Sequence, residues 1–216
     1  FNYDVKLVNP NFTLTSDTLR YNTASKIANI VGPSDIEGDN NHIYSELGFY
    51  NTAIGQAELL QRSVLTNEGK QLTGDSLFYD RNLSVVEAFY YVICTDTVNK
   101  NMLTGNYCHY NELTKYAVAT DSAVAVDYSQ GDSLFLHGDT LQLFTFFLDT
   151  DSMYRETRAY HKVRFFRTDV QGVCDSLVFS TKDSCLTMYR DPILWNGNQQ
   201  LLGEEVMVYM NDSTID

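Results

Sequence analysis

Apolar and polar residues alternate with a period of two over short stretches of this chain, and the stretches recur. In Leu72-Thr-Gly-Asp-Ser-Leu-Phe-Tyr-Asp80, Leu77 and Tyr79 alternate with Ser76, Phe78 and Asp80, which is the pattern of a β-strand. Related phrases return as Asp17-Thr-Leu-Arg-Tyr-Asn22, Glu46-Leu-Gly-Phe-Tyr-Asn51, Leu103-Thr-Gly-Asn-Tyr-Cys-His-Tyr-Asn111, Gly138-Asp-Thr-Leu-Gln-Leu143, Asp175-Ser-Leu-Val-Phe179 and Gly203-Glu-Glu-Val-Met-Val-Tyr209. Anchored on the acidic residue or Asn at 17, 46, 75, 106, 139, 175 and 204, the copies step by 29, 29, 31, 33, 36 and 29 residues. A period in this range marks a stacked-repeat architecture.

Each repeat reads as a hairpin. After the strand ending at Tyr79, Asp80-Arg-Asn82 is a turn, Leu83–Cys94 is a second extended stretch, and Thr95–Asn101 is polar and turn-like. Equivalent turns fall at Asn22-Thr23, Asn51-Thr52, Asn111-Glu112, Thr181-Lys182 and Asn211-Asp212, so the Asp and Asn residues of the phrase, anchors included, are expected at turns. Ala53–Arg62 could pass alone for a helix, but its equivalents Val85–Ala88 and Tyr116–Val126 are rich in β-formers, and the repeat decides for strand. The expected fold is all-β, a solenoid-like stack of antiparallel strands built from about seven repeats.

Stacking aligns two columns. Two residues past each anchor lie Leu19, Gly48, Leu77, Cys108, Leu141, Leu177 and Val206; four past lie Tyr21, Tyr50, Tyr79, Tyr110, Leu143, Phe179 and Val208. The return strands add Ala28 and Ile30, Ala57 and Leu59, Val86 and Ala88, Ala117 and Ala119, and Leu186 and Met188. At a strand spacing of about 4.8 Å these columns form a long apolar interior with aromatic rungs. The small return-strand residues facing large ones either fill a core or leave a groove.

Composition narrows the function. With 216 residues, 44% hydrophobic and 20% charged, the chain can bury a core, and its 15 Tyr and 12 Phe favour strands. A net charge of −13 and a pI near 4.5 exclude nucleic acid as a partner, because phosphate binding needs clustered Lys and Arg. They also argue against electrostatic docking on an anionic membrane. Cys94, Cys108, Cys174 and Cys185 have no metal-ligand spacing, and Cys108, on an apolar repeat position, is expected to be a buried free thiol. No apolar run reaches the length of a membrane-spanning helix. Residues 1–16 resemble the tail half of a repeat, and only the start of another follows Glu204. The expectation is therefore a single repeat domain over 1–216, cut from a longer repeat protein.

Catalytic signatures are missing: there is no GxSxG, HExxH or Walker loop, and His42, His109, His137 and His161 lie far apart in unlike contexts. No catalytic residue and no cofactor is expected. Asp35, Glu37, Asp39, Asn41 and Glu46 match the spacing of a calcium loop, but Asn40 replaces its glycine, and Glu46 is already explained as a repeat anchor, so no metal is assigned.

The repeated Leu-Thr-Gly-Asp-Ser-Leu-Phe-Tyr-Asp phrase, its alternating follow-on and the Asp191-Pro-Ile-Leu-Trp195 segment resemble the OstA-like family, to which LptA and the N-terminal domain of LptD belong. The acidic composition and the Tyr- and Asn-rich turns look most like the Bacteroidetes members. The resemblance runs over essentially the whole chain and implies an open, twisted β-jelly-roll. It also implies a non-enzymatic bridge in the periplasm of a Gram-negative envelope, carrying lipopolysaccharide toward the outer membrane with its acyl chains in the apolar interior. Leu19, Tyr21, Tyr50, Leu77, Tyr79, Tyr110, Leu141, Leu177 and Phe179 would line that trough. Partners would be lipopolysaccharide or lipid A, and other OstA-like domains or further copies joined at open strand edges. In the swollen repeat between Asp139 and Asp175, Arg155, Arg158, Lys162, Arg164 and Arg167 cluster, and Arg158, Lys162 and Arg164 are the candidates to face lipid phosphates. Two other readings remain: an envelope interaction module with a filled core, and a carbohydrate-active enzyme on a β-repeat scaffold.

Overall fold

A computed structural model describes residues 2–10, 12–38, 41–129, 131–211 and 214–215, and every element among them is a β-strand. These are β1 (Asn2–Asn9), β2 (Phe12–Asn22), β3 (Ile27–Gly38), β4 (Asn41–Asn51), β5 (Gln56–Asn67), β6 (Lys70–Asp80), β7 (Val85–Asp96), β8 (Asn101–Asn111) and β9 (Tyr116–Asp127). They continue with β10 (Leu134–Phe146), β11 (Tyr154–Phe166), β12 (Val170–Ser180), β13 (Cys185–Tyr189), β14 (Ile193–Asn196), β15 (Gln199–Leu202), β16 (Glu205–Asn211) and β17 (Thr214–Ile215). The architecture is the all-β antiparallel stack that the repeats imply, in the open jelly-roll form that the family resemblance implies. Ala53–Arg62, the segment with helical character when read alone, is turn and strand.

Two compact units divide the chain: residues 1–99 with 106–111, and residues 100–105 with 112–216. In the first, β1 to β7 pair in sequence as an antiparallel meander. In the second, β9 to β12 do the same. There β12 then pairs by one half with β13 and by the other with β14. Next, β13 pairs with β16 and β14 with β15. Each of these short pairs is one long strand broken in two, at Arg190–Pro192 and at Gly203–Glu204.

The turns follow from their Asp and Asn residues. Asn22 Oδ1 accepts from the amides of Ala24 and Ser25, and Asp96 Oδ1 from those of Val98 and Asn99. Successive turns are also bonded to one another, Thr52 N to Lys26 O at 2.9 Å and Arg81 N to Gly55 O at 3.0 Å, which holds the repeats in register. The turn signal at Asn211-Asp212 falls partly outside the described residues. The extra residues of the longer repeats lie in the connections 128–133 and 147–153.

Asp80 is a buried carboxylate bonded both within its own turn and across the β5–β6 ladder. It accepts from Gln56 Nε2 at 2.7 Å and from the amides of Asn82 and Leu83 at 2.9 and 3.0 Å. These bonds, Gln56 foremost, hold its pKa below the usual carboxylate range. The folded chain therefore protonates Asp80 less readily than the unfolded chain, where the pKa is about 3.9. The stability gained is fully present at neutral pH and lost as pH falls below about 4. Urea unfolding midpoints are expected to show Asp80→Asn less stable than the parent at neutral pH, and losing less of its stability between about pH 5 and pH 3.

One expectation needs correction. The anchor residues do not sit at turns; they lie halfway along the long strands, where the register breaks. Each return strand bends at the same level through two consecutive residues of left-handed backbone: Gln61 and Arg62, Tyr90 and Tyr91, Asp121 and Ser122, His161 and Lys162, Arg190 and Asp191. Gly32, at φ +95 and followed by Pro33, does this in β3. Left-handed backbone costs a non-glycine residue roughly 1–2 kcal/mol, so the surrounding pairing imposes it. Each long strand thus has two arms. The first arm follows the anchor phrase; the second is the half on the other side of the bend. Anchor carboxylates face the cations of the neighbouring bend: Asp75 to Arg62 at 3.6 Å, Asp139 to Lys162 at 3.7 Å, and Asp175 to Arg190 at 3.1 Å.

Inside the bend there is little room, and small side chains line it. Ser16, Ser34, Ser45 and Ser63 are buried, with Gly74 next in register. Ser34 donates to Ser16 at 2.7 Å and Ser63 to Ser45 at 2.9 Å, while Ser16 and Ser45 donate to the bulged carbonyls of Thr18 and Leu47. Hydroxyls here satisfy carbonyls that the broken ladder leaves unpaired.

Candidate functional site

The first arms place the column two residues past each anchor on the inner face. Leu19, Leu77 and Leu177 are each 1% exposed and Leu141 is 4% exposed. Gly48 and Cys108 hold the same level in intervening repeats and are also buried. Burial pushes the Cys108 thiol up to about 12, so it stays a free thiol, as its repeat position implies. The second column is less uniform. Tyr50 and Tyr79 are buried, whereas Tyr21, Tyr110, Leu143 and Phe179 are half-buried near the hairpin turns. The structure therefore brings Leu19, Tyr21, Tyr50, Leu77, Tyr79 and Tyr110 together in the first unit, and Leu141, Leu177 and Phe179 in the second.

The tyrosines do more than fill space. Thr52 Oγ1 donates to Lys26 O, so the 3.2 Å contact from Tyr21 runs from the phenol to Thr52. Arg81 stands beside the Tyr50 hydroxyl at the equivalent place. Each phenol reaches the turn of the next hairpin, 31 residues on, with its ring inward and its hydroxyl at the rim.

Half of the interior was not read from the sequence. The second arms of the first unit bury Phe12, Leu14, Ile36, Ile43, Leu65 and Leu72, and those of the second unit bury Phe165, Val170 and Leu194. The two arms meet in each unit. Phe12, from the second arm of β2, packs edge-on against Tyr50, from the first arm of β4, with ring centroids 4.7 Å apart. In the second unit a Cβ on Gly172 would lie 2.3 Å from the Phe165 ring and 3.0 Å from Met188 Cε, so residues of both arms pack there. The inner columns are closed in this state, and the half-buried aromatics mark where the interior opens.

The basic candidates lie elsewhere. On β11, Ala159, Val163 and Phe165 point inward, while Arg158, Arg164 and the bend residue Lys162 are on the outside. Arg158 binds Glu156 through two bonds of 2.6 and 3.1 Å and stacks 4.5 Å over Phe144. Arg167 is likewise held by Asp169. Arg158 belongs to an outer-face aromatic row that no repeat pattern announced: Tyr116, Phe144, Phe146 and Tyr154 follow one another at centroid distances of 5.0, 6.2 and 4.8 Å. Lys182 covers Tyr154 at 5.6 Å. Cation and ring contacts of this kind tie adjacent strands together.

No cluster of three metal-binding side chains occurs among the described residues. The calcium-like spacing spans the β3–β4 hairpin and not a loop. Asp35 bonds His42 at 2.8 Å, Glu46 accepts from Tyr44, and Asp39 and Asn40 lie outside the described residues.

No curated protein matches the sequence. A crystal structure of LptH, the LptA-homologous periplasmic component of the lipopolysaccharide transport device of Pseudomonas aeruginosa, is similar with a TM-score of 0.46 at 15% identity, over 66% of this chain and 95% of that one. The sequence model of the OstA-like proteins matches residues 1–68 and again 36–127, together more than half of the chain. On that match, this chain belongs to the OstA-like protein family.

Proposed function

We propose that this chain is one OstA-like repeat domain acting as a non-enzymatic periplasmic bridge for lipopolysaccharide, with acyl chains held on the inner face. The observation that carries this reading is the double apolar column repeated through each unit. Moving a lipid through water requires a continuous apolar surface, since each exposed CH₂ costs about 0.8 kcal/mol. The half-buried Tyr110 and Phe179 are the positions an acyl chain meets first, and Leu19, Leu77, Leu141, Leu177, Tyr21, Tyr50 and Tyr79 line its path. Membership of the family supports the reading, as does the strand edge of β15, whose only described partner is β14 and which is available to pair with another OstA-like domain. Arg158, Lys162 and Arg164 stand on the opposite face from the columns, so the proposal rests on the apolar lining.

The burial of the inner column favours a second reading, an envelope module whose interior is a permanently filled core. Photo-crosslinking separates the two. A benzophenone amino acid at Tyr110 or at Phe179 is expected to capture purified lipopolysaccharide, and the same group at Arg164 is not. Equal capture at all three positions, or none anywhere, would leave the filled-core module as the account.

A further inference from the structure

Among the described residues, an aromatic pair crosses the interior of the first unit and joins its two arms. Phe12 is 7% exposed and Tyr50 4% exposed, and their rings meet edge to face at 4.7 Å. Neither is paired to the other by the sheet. Phe12 is in register with Gly38 and Asn9, and Tyr50 with Ala28 and Ala57. The contact is therefore tertiary, and it can break without breaking a strand ladder. Behind it lie Leu14, Leu19 and Ile30, each no more than 1% exposed.

Tyr50 is held in place from the rim. The guanidinium of Arg81 stands beside its hydroxyl. The Arg81 side chain lies against the turn of the preceding hairpin, where a Cβ on Gly55 would come within 3.1 Å of Arg81 Cβ, and the Arg81 amide donates to Gly55 O. Gly55 also needs its positive φ of +70. Arg81 is thus fixed at its base by one turn and set beside the hydroxyl of the aromatic that closes the interior.

We propose that Phe12 and Tyr50 form a gate across the interior of the first unit, with Arg81 as its latch, and that the two arms part at this pair before an acyl chain enters. The lipid named here rests on the carrier reading; the gate itself does not. Arms that meet only through side chains separate more readily than paired strands, because no backbone group is left unsatisfied. Phe12 is a positioning residue for the lining, and Tyr50 is both part of that lining and its closure.

The test reads opening and loading separately. Leu14→Cys, in a background with the four native cysteines replaced by alanine, places a thiol behind the gate. Maleimide labelling of that thiol is expected to be slow in the parent. It should quicken about five-fold in Phe12→Ala and in Arg81→Gln, the scale of one lost aromatic contact. Leu177→Ala, which loosens the second unit, is the control for general destabilisation and should leave labelling slow. Unchanged labelling in both gate variants, with folding verified by circular dichroism, overturns the gate, as does equal acceleration in Leu177→Ala. Association of fluorescently labelled lipopolysaccharide is then followed with the same proteins and is expected to accelerate in both gate variants. Faster labelling with no lipopolysaccharide bound by any protein would keep the gate and refute the carrier reading.

Discussion

Alanine at Gly48 is expected to destabilise the chain by about 3 kcal/mol, the upper part of the range for overpacking a core. Gly48 lies in β4 at the level of the inner leucine column, where the other repeats carry Leu19, Leu77, Cys108, Leu141, Leu177 and Val206. An added Cβ would lie 2.4 Å from Glu58 O, 3.0 Å from Leu59 Cα and 3.3 Å from Glu58 C. All three are backbone atoms of β5, the strand paired with β4 through Gly48 and Leu59. Relief requires moving a strand held on its other edge by β6, not rotating a side chain. The comparison is Gly172→Ala, whose Cβ meets only side chains, the Phe165 ring and Met188 Cε. There the companion change Phe165→Leu should recover most of the loss, whereas no single side-chain truncation should rescue Gly48→Ala. Urea unfolding of the four proteins decides the matter, and a neutral Gly48→Ala would show that β4 and β5 lie farther apart than described.

Truncating the inner column should cost nearly as much. Leu77→Ala in the first unit and Leu177→Ala in the second are each expected to lose about 3 kcal/mol, because both side chains are 1% exposed and no water can fill the void they leave. Phe179→Ala, two residues along the same strand but half-buried, should lose about 1 kcal/mol, since part of its ring already faces solvent. Thermal unfolding measures all three. On the carrier reading the contrast divides the lining by role: the column nearer the bend maintains the fold, and the half-buried positions nearer the turns meet the ligand. Equal losses at Leu177 and Phe179 would make both columns core and would favour the filled-module reading.

The repeat was visible in the sequence because its determinants are local. Asn22, Asp80 and Asp96 make turns by bonding amides two and three residues on, and Asn51 the amide two on, which depends on little beyond the turn itself. Leu77 and Tyr79 declare an inner face by alternation alone, and the same alternation predicted the first-arm columns and the buried thiol of Cys108. The tyrosine hydroxyls were not legible, because Thr52 and Arg81 are brought to Tyr21 and Tyr50 only when hairpins stack.

The strands, the turns, the period and one inward face thus follow from local residue order. The bend in the long strands, and the second inward face that closes on the first, arise only when strands pair. At each anchor the extra residue of a bulge shifts the alternation by one, so that inner positions run Phe12, Leu14 and Ser16 before Asp17 but Leu19 and Tyr21 after it. On the return strands two left-handed residues intervene, as between Leu59 and Ser63. Residues such as Tyr90 and Tyr91 have no intrinsic preference for that backbone. They adopt it because the ladders on either side fix the ends of the bend, and a constraint imposed by neighbouring strands leaves no mark in the local sequence.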